Sequence, residues 1–284
     1  MSILDRIVAS TKERVQRDKK AGLPAVILKQ RPPFLFEQSL LEQSRLEQRE
    51  RRPDMAFICE VKKASPSKGV IATDFPYLDI ARAYEAAGAD AISVLTEPEF
   101  FQGSPNYLAE IHEIVDIPLL RKDFIVDPFQ IAQSVLLGAD AILLICAILS
   151  PGQLAEYIRL ADRLNLSCLV EAHDEDELRT ALKAGARVVG VNNRNLHTFA
   201  VDPGHSIRLR KIVPPEIVFV AESGIRTAED VNILRRHGVN AVLVGETLMR
   251  SPDKKAALAA LKGGGLREAA KVTIAAGSGN CGGQ

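Results

Sequence analysis

The chain has 284 residues, and its 36 basic and 36 acidic side chains cancel to a formal net charge of zero. That length fits one large domain with extensions, and the charge balance removes any global electrostatic case for nucleic acid or an anionic membrane as partner. No apolar run approaches the ~18 residues of a membrane span, and Met1-Ser2-Ile3-Leu4-Asp5-Arg6 lacks the apolar block of a signal peptide.

Residues 3–18 space Ile3, Leu4, Ile7, Val8 and Val15 at helical intervals among charges, which predicts an amphipathic helix. Pro32-Pro33 interrupts the pattern. Residues 37–52 predict a second, highly charged helix anchored by Leu40, Leu41 and Leu46 and stopped by Pro53. Residues 1–54 are thus expected to be a helical extension packed on the main domain. From residue 55 the pattern becomes periodic. Gly88, Gly138, Gly185 and Gly238 each close a helix-like stretch and precede an apolar run, at intervals of 50, 47 and 53 residues. A βαβ unit needs roughly 30 residues, so each interval holds two strand–helix steps. Strands are expected at about 55–62, 91–95, 118–122, 141–145, 167–171, 188–192, 217–221 and 241–245, each followed by a helix. The fold class is therefore α/β, a closed (β/α)8 TIM barrel over 55–262 with an N-terminal helical extension. Residues 263–284 form a glycine-rich tail, expected to be at least partly mobile.

The punctuation is consistent with this. The four glycines suit left-handed C-caps. Asp127-Pro128, Ser150-Pro151, Asp202-Pro203 and Ser251-Pro252 each pair an N-cap with a proline at the first helical position. Cys59, Cys146 and Cys168 fall in apolar strand-like runs and Cys281 in the tail, with no C-x-x-C spacing. That pattern predicts free thiols in a reducing cytoplasm and no metal or redox centre.

A barrel of this kind works at the C-terminal ends of its strands. Period-two alternation puts Ile58, Glu60 and Lys62 on one side of strand 1, and Phe57, Cys59 and Val61 on the other. If the first set faces inward, an acid and a base meet at the mouth. Strand 3 ends in Arg121-Lys122-Asp123, strand 5 in Glu171, strand 6 in Asn192-Asn193-Arg194 and strand 7 in Glu222-Ser223-Gly224. Buried unpaired charge is costly, so charges converging from five strands predict an active site. The loops after strands 7 and 8 are where such barrels often hold phosphate, and Gly224 and Gly245 would let backbone N–H groups approach it. Glu246 lies beside that place and is expected to point away or to cap the helix. His112, His173, His197, His205 and His237 have no ligand spacing and are expected at the surface, with His173 near enough to Glu171 to approach the site.

One block is highly specific: Glu60-Val61-Lys62-Lys63-Ala64-Ser65-Pro66-Ser67-Lys68-Gly69. With it go Leu95-Thr96-Glu97, Phe101-Gln102-Gly103-Ser104, Leu120-Arg121-Lys122-Asp123-Phe124-Ile125, Leu169-Val170-Glu171, Gly190-Val191-Asn192-Asn193-Arg194-Asn195-Leu196 and Ala221-Glu222-Ser223-Gly224-Ile225. On these residues the chain resembles the indole-3-glycerol-phosphate synthases of tryptophan biosynthesis, over about residues 3–262. The resemblance implies a cytoplasmic carboxy-lyase with no metal or organic cofactor. Its partner would be a small phosphorylated substrate, and its state a monomer or weak homo-oligomer. It implies Lys122 as the general acid on a ketone oxygen, Lys62 beside the substrate carboxylate, and Glu171 as the base. Asn192, Glu60 and Glu222 would position hydroxyls and hold the lysines. Ser65 would lie near the carboxylate, and Phe101 and Leu143 would flank the aromatic ring. Arg194 and Ser223 would lie at the sugar-phosphate end, with Gly224, Gly245 and Glu246 around the phosphate.

A lysine with a reference pKa near 10.4 is a donor at neutral pH, but the residues leave open whether Lys62 or Lys122 does the acid work. They also leave open a lysine-imine aldolase or synthase, a phosphoribosylanthranilate isomerase, and a non-catalytic phosphate-binding scaffold.

Overall fold

The structure, a computed structural model, describes residues 2–23, 31–46, 55–195, 198 and 200–263. Eight parallel strands close into a barrel: β1 (Ala56–Val61), β2 (Ala91–Leu95), β3 (Leu119–Lys122), β4 (Ala141–Ile145), β5 (Ser167–Ala172), β6 (Val188–Asn192), β7 (Val218–Glu222) and β8 (Ala241–Val244). Each pairs with its sequence neighbour, and β8 returns to β1 through Ala56↔Ala241 to Cys59↔Val244. All eight lie where the glycine spacing put them. The helices are α1 (Ile3–Ala21), α2 (Leu35–Leu46), α3 (Tyr77–Ala86), α4 (Pro105–His112), α5 (Pro128–Leu136), α6 (Pro151–Arg163), α7 (Glu175–Lys183), α8 (Gly204–Arg210), α9 (Ala228–Arg236), α10 (Glu246–Arg250) and α11 (Lys254–Leu261).

Alternation along the strands sorts two apolar layers. Phe57, Cys59, Val61, Ile92 and Val242 face outward into the sheet–helix core. Ala56, Ile58, Leu120, Leu143, Leu169, Val220 and Leu243 fill the barrel interior. Phe36 and Leu40 of α2, both 0% exposed, join that inner cluster. Ser39 Oγ donates to the Asp90 carbonyl and Glu37 N–H to Ser167 Oγ, both just before or at strand starts. Thus α2 forms the floor of the barrel and the strand C-termini form the open end. At that end α1 is tied down by Arg14, 2.6 Å from Asp123, and by Lys19, 2.7 Å from Asp127.

Several local expectations need correction. Two helices, α10 and α11, follow β8 where the pattern suggested one. Ser251 does not cap the second; it is extended, as a residue before proline tends to be, and Asp253 accepts from the Ala256 N–H instead. At Asp202-Pro203 the helix begins one residue late, with Asp202 Oδ1 still accepting from Gly204 N–H at 2.9 Å. Cys146 opens a 3-10 turn after β4 and is half-buried, while Cys59 and Cys168 are buried. His112 is buried too, packed where Gly138 carries no Cβ: one built there would meet His112 Cγ at 2.3 Å. The four glycine caps are left-handed, with φ of 79, 79, 93 and 76°. The tail from 264, Cys281, His197 and the end of the second charged segment (47–54) lie outside the described residues.

Candidate active site

The open end of the barrel holds a cavity of about 510 Å³. Glu60, Lys62, Ser65, Phe101, Lys122, Leu143, Glu171, Asn192, Arg194, Glu222, Ser223, Gly224, Gly245 and Glu246 all line it. Inward alternation accounts for the strand residues: Ile58 and Glu60, Leu120 and Lys122, Leu169 and Glu171 point the same way in turn. Arg121, between Leu120 and Lys122, points outward, buried among Asp123, Ser134 and the Gln130 carbonyl.

Two charged clusters fill the mouth. In the first, the Lys62 amine rests on the Glu60 carboxylate. Gly245 faces that pair, and a Cβ there would lie 2.1 Å from Glu60 Oε2 and 3.0 Å from Lys62 Nζ. In the second, Lys122 Nζ contacts Glu222 and stands 3.6 Å from Glu171 Oε2. Strand register builds this group, setting Asn192 beside Glu222 and Glu171 beside Gly190. A Cβ on Gly190 would meet Glu222 Oε1 at 2.4 Å, so the glycine makes room for the carboxylate.

The electrostatics arise from these contacts. Burial works to neutralise Lys122, but the charges of Glu222, Glu171 and Glu60 outweigh it and raise its pKa. Burial would raise Glu171, yet the nearby His173 ring, the Lys122 charge and the Asn192 side chain hold it down. Glu222 is pushed up by burial and by like charge from Glu171 and Glu60, despite Lys122. Its Oε1 has no hydrogen-bond partner among the described residues. The two carboxylates around Lys122 thus differ: Glu171 is the one kept ionised, and Glu222 takes up a proton first.

The other end of the cavity suits an anion. Ser223 and Gly224 are consecutive left-handed residues, with φ of 65 and 82°. A non-glycine residue in that region carries strain of about 1–2 kcal/mol, and here it occurs at the site. Glu246, the first residue of α10, neither points away nor caps that helix as expected. It lies 3.4 Å from Lys68, 3.1 Å from Arg250 and 3.8 Å from Arg194, so three cations gather around one carboxylate. Phe101 and Phe124 stand with ring centres 6.0 Å apart, forming an apolar wall.

Sequence reasoning missed several wall residues. Ile3, Leu4 and Ile7 of α1 line the cavity, as do Lys68 and Phe124. The apolar stripe of α1 was the available signal, but it does not say what the stripe covers. His173 is not a surface histidine: its Nε2 lies 3.1 Å from Glu171 Oε1 and its Nδ1 3.1 Å from Glu177 Oε2. The cavity therefore offers ammonium donors, an ionised carboxylate, an aromatic wall and a cationic end. It can protonate an oxygen, remove a proton and hold a phosphorylated molecule.

Comparison with known proteins identifies the family. A family model described as indole-3-glycerol phosphate synthase matches residues 4–261. The indole-3-glycerol phosphate synthase of Ruminiclostridium cellulolyticum is 57% identical over 267 residues, 92% of this chain and 99% of the relative. That of Endomicrobium trichonymphae is 52% identical over 265 residues, with 92% and 99% covered. Among solved structures, 3-hexulose-6-phosphate synthase from Salmonella typhimurium aligns with a TM-score of 0.61 at 16% identity, over 75% of this chain and 99% of that one. At that identity the likeness concerns the barrel fold alone.

Proposed function

The chain belongs to the indole-3-glycerol phosphate synthase family, and on that premise we propose how its cavity residues divide the work. The reaction turns 1-(2-carboxyphenylamino)-1-deoxyribulose 5-phosphate into indole-3-glycerol phosphate, carbon dioxide and water, a decarboxylating step of tryptophan biosynthesis. The ring carbon bearing the carboxylate attacks the ketone carbon, and Lys122 gives a proton to the ketone oxygen. Carbon dioxide then leaves, restoring the aromatic ring. A second proton expels the new hydroxyl as water, assisted by the nitrogen lone pair. Glu171 finally removes the proton from the carbon next to that nitrogen, completing the indole.

The observation that carries this reading is Lys122 Nζ, set against Glu222 and 3.6 Å from Glu171. A donor and the base able to return its proton are neighbours there. Lys62, held by Glu60, faces the substrate carboxylate near Ser65 until it departs. Phe101 and Leu143 flank the aromatic ring. Asn192 and Glu222 position hydroxyls. Lys68, Arg194, Ser223 and the turns at Gly224 and Gly245 take the phosphate end, and Glu246 is the counter-ion the phosphate displaces. In the N-terminal segment α1 serves the barrel as rim and α2 as floor. The partner is this small molecule alone, handled in the cytoplasm by a monomer or weak homo-oligomer.

The test is the appearance of indole absorbance from the carboxyphenylamino substrate. Lys122→Ala and Glu171→Gln are each expected to lower turnover by at least about 10²-fold, the lower range for acid–base groups. Near-normal rates in both variants would reject the assignment. A lysine adduct trapped by borohydride with substrate present would favour imine chemistry instead.

A further inference from the structure

We infer that His173 is a positioning residue for the base, keeping the Glu171 carboxylate ionised from outside the substrate cavity. The inference rests on the reading of Glu171 as the base. Glu171 is only 4% exposed, and its two oxygens look in different directions. Oε2 faces Lys122 inside the cavity, while Oε1 lies 3.1 Å from His173 Nε2. His173 belongs to a different wall. It lines a second cavity of about 530 Å³, together with Asp174, Glu177, Asp202 and His205, and does not line the substrate cavity.

His173 is itself fixed from three sides. Its Nδ1 meets Glu177 Oε2 at 3.1 Å, and the same oxygen accepts from its backbone N–H at 2.7 Å. Its carbonyl meets His205 Nε2 at 2.8 Å, tying the β5–α7 turn to α8. Both ring nitrogens therefore face a carboxylate oxygen. The Nδ1 contact is a hydrogen bond, whereas Nε2 has no aligned hydrogen-bond partner among the described residues and stands at ion-pair distance from Glu171; a neutral ring gives that carboxylate no compensating charge, and the imidazolium does. Burial would discharge the ring, but the Glu171 and Glu177 carboxylates outweigh that and raise it to about 10.

Other groups bear on the pair. Lys122 and Glu222 face Glu171 from β3 and β7, with Asn192 bonded to it from β6. Asp174 and Cys146 lie near Glu171 and Glu177 on the outer side, and His205 stands on α8. Among these, Lys122 is the cation that must turn to the substrate oxygen during the reaction. When it does, a buried carboxylate without a second cation would take up a proton and stop acting as a base. His173 is the second cation, and its place outside the cavity keeps it from competing for substrate. It makes Glu171 a weak base, which suffices because the proton removed lies beside a positively charged iminium nitrogen.

The experiment is the pH profile of kcat/KM for His173→Gln and Glu177→Gln, alongside Glu171→Gln and the parent enzyme. In His173→Gln the acid limb is expected to move up by about one pH unit or more, a tenfold change in the ionised fraction along the limb. KM near neutrality should change less than the rate. Glu177→Gln should move the limb in the same direction by less, and it carries the test if the histidine variant fails to fold. Nitrogen NMR of the parent enzyme should find His173 doubly protonated at pH 8. Profiles of both variants that superimpose on the parent, or a neutral His173 ring at pH 7, would overturn the inference while an inactive Glu171→Gln left the base assignment standing. A fully active Glu171→Gln would overturn both.

Discussion

Gly245 separates two explanations of the cavity's last loop. Its backbone, at φ −114° and ψ −75°, is accessible to an ordinary residue, so alanine there adds a methyl group without left-handed strain. That methyl would meet Glu60 Oε2 at 2.1 Å and Lys62 Nζ at 3.0 Å. Glu60 is buried at 4% exposure and cannot swing into solvent. Its carboxylate must retreat by about 1 Å and take the Lys62 amine with it, and misplacement on that scale costs roughly 10²-fold in rate. Overpacking would also destabilise the fold by about 1–3 kcal/mol. The assay is steady-state indole formation with kcat and KM resolved, and thermal unfolding by circular dichroism. We expect kcat of Gly245→Ala to fall about 10²-fold in a folded protein, and Glu60→Asp in the same chain to restore part of it by withdrawing the oxygens. A raised KM with unchanged kcat would show that Gly245 matters through the phosphate alone. Full activity in both parameters would refute the idea that the glycine holds space for the Glu60–Lys62 pair.

Two further outcomes test the scaffold. Phe36→Ala removes a wholly buried ring from the barrel floor and should cost about 3–5 kcal/mol in urea unfolding while leaving kcat nearly unchanged; a loss below about 1 kcal/mol would mean that α2 does not seal the interior. Asp123 is buried, yet Arg121 and Arg14 hold its carboxyl below the ordinary range. Its folded value lies below the unfolded one, so its stabilisation is complete above about pH 4 and disappears as pH falls through the lowered folded value. Asp123→Asn should therefore be less stable at neutral pH and show a flatter loss of stability in acid. An unchanged acid slope would mean that another carboxylate controls it.

Much of the barrel is legible in one dimension because its rules are local. Glycines at 88, 138, 185 and 238 end helices in the left-handed region, and the apolar runs after them have nowhere to go but the sheet. Alternation then sorts Glu60 and Lys62 from Cys59 and Val61, and Lys122 from Arg121 and Asp123, without reference to any neighbour. The ends of the strands are predictable places for chemistry for the same reason.

What that reading could not reach depends on contacts between distant segments. Nothing near residue 3 says that α1 lies over the cavity; Arg14 meeting Asp123, 109 residues on, decides it. Nothing near Gly245 says that its missing side chain leaves room for Glu60, or near Gly190 that it leaves room for Glu222. His173 looked like a surface residue because its two carboxylate partners are assigned by the packing of the β5–α7 turn, not by composition. Periodicity along the chain thus determined the architecture and the residues that face its mouth, since those follow from backbone geometry repeated every two or every 3.6 residues. The charge state of each group, and the partner that sets it, were decided only when folding removed water and brought separate strands within a few ångströms, where electrostatic interactions become strong enough to choose between protonation states.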